Sequence, residues 1–340
     1  MIDPKDMEHC EEAIRNGSLS FHVASKALPK KIRDRALALY AFCRLADDEV
    51  DLKADKIPAV LALQERINAA YEGNPVNSPF DRAFTAMIQD CKMPKALPEA
   101  LLEGLAWDAM ERRYQTLSEV RDYSARVASA VGVMMCVIME IKDPNTLARA
   151  CDLGVAMQLT NIARDIGEDA LEGRLYLPVE WLEEAGINQN SFLRKPKPTK
   201  AIRQMTRRLV VESDRLYLRS EAGIGKLPFK CRAGIFAARH IYAGIGDEIR
   251  NLGYETVTTR ARTTRSRKIA LVGLSILKTA SITLMPQSAV VYAKPLKEVE
   301  FLIDSVTEGL PQNQRWSDKI LSIMDHLRHM DKKRNIEVSQ

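Results

Sequence analysis

The chain has 340 residues, 46% apolar and 28% charged, which is enough apolar material for one large domain with a substantial core. A formal net charge of +5 is too mild to imply a nucleic-acid partner, and none is expected. The six cysteines (10, 43, 91, 136, 151 and 231) show no C-x-x-C pair, which reads as reduced thiols of a cytoplasmic protein, neither a disulfide framework nor a zinc site.

The N-terminus, Met-Ile-Asp-Pro-Lys-Asp, is polar and has no apolar h-region, so no signal peptide is read there. Almost every long segment that follows has helical period, and almost nothing alternates with period two. Helices are predicted at roughly 5–16, 18–26, 31–52, 57–72, 79–91, 97–115, 118–140, 144–171, 178–185, 199–221, 229–252 and 263–284. Their starts carry Ser78-Pro79, Ser118 with Glu119, and Asp143-Pro144, and glycine or proline punctuates the stretches between them. The expectation is an all-α fold, with one helical domain over 1–290 and a polar, partly helical C-terminal extension over 291–340. No Gly-rich phosphate loop or dinucleotide fingerprint occurs. Residues 269–277 are the most apolar run, but Lys278 interrupts it short of the ~20 apolar residues that a membrane span needs. A packed terminal helix is the favoured reading there, with a membrane-surface contact as the alternative. The tail holds Trp316 and a weakly amphipathic stretch over 317–331.

Two stretches carry chemistry. In a helix, Gln158, Asn161, Asp165 and Asp169 share one narrow stripe, while Leu159, Ile162, Ala163 and Ile166 fall on the neighbouring core face. Surface stripes are usually rich in Lys and Glu; two amides and two carboxylates suit a hard cation better. Upstream the spacing returns, with Tyr40, Arg44, Asp47 and Asp51 aligned on one face. One acidic pair on a helix is usually solvated surface. Two pairs with phosphate-friendly neighbours are what a Mg²⁺–diphosphate site requires.

With these stripes stand Ser18-Leu-Ser20-Phe21, Arg112-Arg-Tyr114, Tyr123-Ser-Ala-Arg-Val127-Ala-Ser-Ala-Val-Gly132, Gly173-Arg174-Leu-Tyr176-Leu-Pro178 and Ala238-Arg-His-Ile-Tyr242. In this order and spacing, over about residues 12–275, the chain resembles the squalene/phytoene synthase family of head-to-head prenyl transferases, and within it the bacterial phytoene-forming branch. The resemblance implies the isoprenoid-synthase (class I terpenoid synthase) helical fold with a central apolar cavity. It implies joining of two geranylgeranyl diphosphates through prephytoene diphosphate to phytoene, with release of diphosphate. By the same likeness Asp47, Asp51, Asn161, Asp165 and Asp169 match metal-binding positions for Mg²⁺ or Mn²⁺. Tyr40, Arg44, Arg164, Tyr242 and, from the basic cluster Arg260–Lys268, Arg260 match diphosphate-binding positions. Ser18, Phe21, Gln158 and Asn161 match substrate contacts, and Tyr123 the tyrosine beside the carbocation.

Met134, Met135, Val137 and Ile138 fit a cavity wall, though such spacing more often means ordinary core. No NADPH is expected. ATP stimulation, described for some bacterial relatives, has no sequence correlate here. So apolar a product suits a protein peripherally associated with the inner membrane. The family often has glycine where Ser129 stands and an aromatic residue at His22; Ser129 is small enough to keep a close helix crossing. The alternatives are a synthase making squalene, presqualene diphosphate or dehydrosqualene from farnesyl diphosphate, and a non-catalytic helical scaffold.

Overall fold

The computed structural model describes residues 2–51, 56–284, 286–307 and 322–330. The side chain of Asp51, and Trp316 with the flanking residues, lie outside the described part. Helices follow one another as α1 (Pro4–Gly17), α2 (Leu19–Ser25), α3 (Lys30–Asp51), α4 (Lys56–Tyr71), α5 (Pro79–Cys91), α6 (Ala96–Ala109) and α7 (Leu117–Ser124). A π-helical turn, Ala125–Ser129, joins α7 to α8 (Ala130–Ile138). Then come α9 (Pro144–Leu171), α10 (Val179–Glu184), α11 (Gln189–Arg194), α12 (Lys200–Ile224), α13 (Phe229–Asn251), α14 (Arg265–Leu284) and α15 (Glu300–Thr307). No strand occurs among the described residues.

The 28-residue α9 is the axis of the molecule, packed on α12, α13, α8 and the π turn. Its start follows from Asp143, whose carboxylate accepts from the Thr146 N–H at 2.9 Å, with Pro144 in the first turn where no N–H is needed. Leu159, Ile162, Ala163 and Ile166 are buried, so the core face read from the periodicity is the core face found.

Two local expectations are corrected. The helix expected over 97–115 stops at Ala109: Glu111 takes a left-handed φ of 50°, and the Arg112 N–H returns to the Trp107 carbonyl at 3.0 Å. Thr116, not Ser118, caps α7, whereas α5 starts as expected with Ser78 at the N-cap position and Pro79 in its first turn. The short α11, capped by Asn188, was not expected.

Ser129 keeps the helix crossing close. It faces Gly154, where an added Cβ would stand 2.5 Å from Ser129 Cα, and its hydroxyl donates to the Cys151 carbonyl at 2.8 Å. Met134 and Ile138 are fully buried within the core. All six cysteines are free thiols.

Candidate active site

On α9 the polar stripe is real. Asp165 is gripped from two sides: Arg164 Nε donates to its Oδ1 at 2.8 Å, and Arg260 Nε lies 3.0 Å from the same atom. Arg260 also reaches Glu168, at 2.8 Å. What brings Arg260 here is Gly167. A Cβ on that residue would fall 1.8 Å from the Val257 carbonyl oxygen, so only glycine lets the 256–257 backbone lie on α9, where Gly167 N–H donates to Thr256 O at 3.2 Å. Of the basic cluster, Arg260 is thus the member joined to the stripe.

One turn on, burial and then the negative charge of Asp165 push the Asp169 carboxyl up to about 8. A site that holds back the ionisation of its own carboxylate is short of positive charge. Asn161 adds to this: its Nδ2 donates to Gln158 Oε1 at 3.4 Å, while its Oδ1 is buried without a hydrogen-bond partner. An orphan amide oxygen beside two carboxylates forms an all-oxygen donor set suited to a hard divalent cation. Among the described residues no three His, Cys, Asp or Glu side chains converge closely enough to hold a metal by themselves. The fit therefore rests on Asn161 with Asp165 and Asp169.

A second group gathers Phe21, Tyr40 and Tyr242. Phe21 lies between the two tyrosines, with ring centroids 6.3 Å from Tyr40 and 5.5 Å from Tyr242. Tyr40 is seated against Gly17, where a Cβ would stand 2.4 Å from its hydroxyl. Burial raises the Tyr242 phenol, and the charge of Arg164 partly offsets this, which links the aromatic group to the Asp165 stripe. Ser18 acts here as the cap of α2, its Oγ accepting from the Phe21 N–H at 3.3 Å, and so sets where Phe21 begins. On α3, Arg44 pairs with Asp48 at 2.7 Å and lies 3.8 Å from Asp47. It also borders a cavity of about 490 Å³ between α1, α3 and α5, with Asn16, Asp48 and Phe80 on its walls.

The third group was only partly foreseen. Tyr123 donates to Asp108 Oδ2 at 2.8 Å and Tyr176 to Asp108 Oδ1 at 2.7 Å. The two rings stack at 5.0 Å, and Tyr114 closes the cluster 5.3 Å from Tyr123. Burial, then the Asp108 charge, raises both Tyr123 and Tyr176 well above the usual phenol range, so both stay protonated donors. Asp108 and Tyr176 were not singled out as site residues. The available signal was the last of three carboxylates, after Glu99 and Glu103, on the largely apolar helix Ala96–Ala109. Asp108 also contributes to raising Asp169, which ties this cluster to the stripe.

The chain is similar to known proteins over most of its length. The description squalene/phytoene synthase belongs to the family that matches residues 14–267. The chain is 52% identical over 342 residues to a phytoene synthase of Cereibacter sphaeroides, covering 98% of this chain and 96% of that one. It is 41% identical to a 15-cis-phytoene synthase of Paracoccus sp., covering 77% and 88% of the two chains. Among solved structures, a dehydrosqualene synthase in complex with ligand superposes with a TM-score of 0.75 at 29% identity, over 82% of this chain and 97% of that one.

Proposed function

The chain belongs to the squalene/phytoene synthase family, and from that premise we propose that it joins two geranylgeranyl diphosphates head to head into phytoene. The observation that carries the reading is the α9 stripe: Asp165 between two arginines, beside an unpaired Asn161 oxygen.

Asp47, Asp51, Asn161, Asp165 and Asp169 would hold the divalent ions, Mg²⁺ or Mn²⁺. When bound, such ions neutralise the leaving diphosphate and polarise its C–O bond. Arg44, Arg164, Arg260, Tyr40 and Tyr242 bind the diphosphate oxygens, the arginines exchanging a carboxylate partner for a phosphate one. Ser18, Phe21 and Gln158 orient the allylic chains. Heterolysis of the C–O bond releases diphosphate and leaves an allyl cation. The second molecule's alkene attacks it, and loss of a proton closes a cyclopropane, prephytoene diphosphate. A second ionisation, rearrangement and proton loss yield phytoene. No hydride enters, so the reaction calls for no NADPH.

Tyr123 places a ring face beside the cation. Its hydroxyl hydrogen is committed to Asp108, so the oxygen lone pairs remain available to the migrating charge. The apolar core around these groups excludes the water that would quench a carbocation.

Phytoene is a hydrocarbon of extreme insolubility, and its release favours peripheral contact with a lipid bilayer. No helix among the described residues is long and apolar enough to cross one.

Incubation with geranylgeranyl or farnesyl diphosphate, with and without NADPH, tests the reading by product analysis. A C40 hydrocarbon formed without NADPH is expected; a C30 product as the major one overturns it. Asp165→Ala should abolish turnover while leaving the helical circular dichroism unchanged.

A further inference from the structure

Helix α14 is built inside out. The side chains it buries fully are polar, Ser275 and Thr279, with Leu271, Val272 and Ile282 half-buried beside them. Ser275 Oγ meets His240 Nδ1 at 2.8 Å, and Lys278 reaches Glu221 at 3.2 Å. Its outward face is apolar. At about 100° per residue, Ile269, Ala270, Gly273, Leu277, Ala280 and Leu284 share that face. Ile269 is 74%, Leu277 70% and Leu284 87% exposed, with Ile276 on the flank at 59%. The patch is extended by Phe229, 61% exposed, because its neighbour Arg232 bonds Thr283 at the end of α14. The outward apolar side chains gain nothing in water, and so contiguous an exposed patch marks a contact surface.

Charge identifies what covers it. Residues 256–297 contain eight Lys and Arg and no Asp or Glu. Several of the eight have carboxylate partners within the fold: Arg260, Arg267 and Lys278. Arg262 and Arg265 are exposed at the start of α14, where the helix dipole disfavours positive charge. Their placement therefore does not serve the helix. Apolar side chains along one face with cations at its end are the chemistry of an interfacial helix on anionic lipid.

We infer that the outer face of α14, with Phe229 beside its C-terminal end and Arg262 and Arg265 at its N-terminal end, docks on the surface of an anionic bilayer. The inference rests on the membrane contact proposed above and assigns it a surface. Lying in the headgroup plane, the helix needs no length to span the membrane.

The test is flotation of the full chain with neutral phosphatidylcholine vesicles and with vesicles containing phosphatidylglycerol. The intact protein should float with the anionic vesicles and only weakly with neutral ones. Leu277→Asp with Leu284→Asp should lower the partition coefficient at least tenfold, and Arg262→Gln with Arg265→Gln about fivefold for each arginine, at ~1 kcal/mol per charge. Turnover in detergent should be unchanged in both variants, which shows that each remains folded. Wild-type binding with no loss in either variant overturns the surface while leaving the membrane contact standing. No binding by the intact protein to either vesicle overturns both. A wild-type dimer that the aspartate variant splits, with vesicle binding unaltered, assigns the face to a second copy of the chain and overturns the lipid assignment.

Discussion

A carboxylate that accepts from two phenols at once is fixed by both, and Asp108 is held in this way by Tyr123 and Tyr176. Its negative charge lies one hydroxyl away from the tyrosine proposed to face the cation, in surroundings where burial strengthens every electrostatic contact. Asp108→Asn keeps the shape and removes the charge. We expect kcat to fall about 10²-fold with KM nearly unchanged, measured by steady-state product formation. Tyr176→Phe, which removes one donor and leaves the charge, should lower kcat less. The residues of the α9 stripe were legible in the sequence because they share one helix, and helical period alone aligns them. Asp108 was not, because its partners come from α7 and from the 173–178 loop, and no spacing in the chain connects the three. Arg260 was picked out of its basic cluster by the family likeness alone; the backbone contact at Gly167 that brings it to the stripe is announced by no side-chain pattern.

At the scale of elements, that contact is the hinge of the site's geometry. Gly167→Ala forces the 256–257 backbone off α9 and carries Arg260 away from Asp165 and Glu168. The expected result is a loss of about 1–3 kcal/mol of stability in urea unfolding, together with a raised KM for the diphosphate substrate. The sequence marked the helices themselves well, since caps and periods are local; it misjudged the end of α6, where a left-handed Glu111 stops a segment that otherwise reads as helix. The α13–α14 contact has its own pH signature. Burial first, then the charge of Arg239, holds the His240 imidazole down at about 4, with Glu221 opposing and Lys278 adding to the shift. The unfolded chain takes up a proton near pH 6.5 that the folded chain refuses until about pH 4, so stability falls as the pH drops through that window. Asp169, protonated in the fold up to about pH 8, contributes the opposite slope over the same window, so the His240 contribution is read as a difference: in thermal melts from pH 7 to pH 4.5 the wild type should lose stability relative to His240→Gln.

Across the whole molecule, residues 288–307 fasten back over the helical body through arginines rather than through apolar side chains alone. Arg149 Nη1 donates to the Val290 carbonyl at 2.8 Å and Arg219 Nη2 to the Lys294 carbonyl at 2.7 Å, and both arginines share the fully buried Asp152. Val291, Val299 and Leu302 of this strap are themselves buried. Gly223 makes room for this, since a Cβ there would stand 2.3 Å from Arg149 Cβ. Removing Arg149 leaves a buried carboxylate half-compensated and a carbonyl unpaired. Arg149→Ala should therefore cost about 3–5 kcal/mol in urea unfolding, with the strap the first segment to become sensitive to protease. None of this was legible in the sequence, where the segment is polar and its partners lie some 70 to 140 residues upstream.

The inverted burial of α14 also has a thermodynamic consequence. A helix held by Ser275, Thr279 and Lys278, with Ile269, Ile276, Leu277 and Leu284 already in solvent and Leu271, Val272 and Ile282 only half-buried, uncovers less apolar surface when it detaches than a helix buried along a full apolar face. Its local opening should therefore depend less steeply on denaturant than that of the core helices. In native-state hydrogen exchange, the opening free energy of α14 amides should fall with a shallower slope in urea than that of α9. Such a helix can leave the body and return without melting the fold around the site.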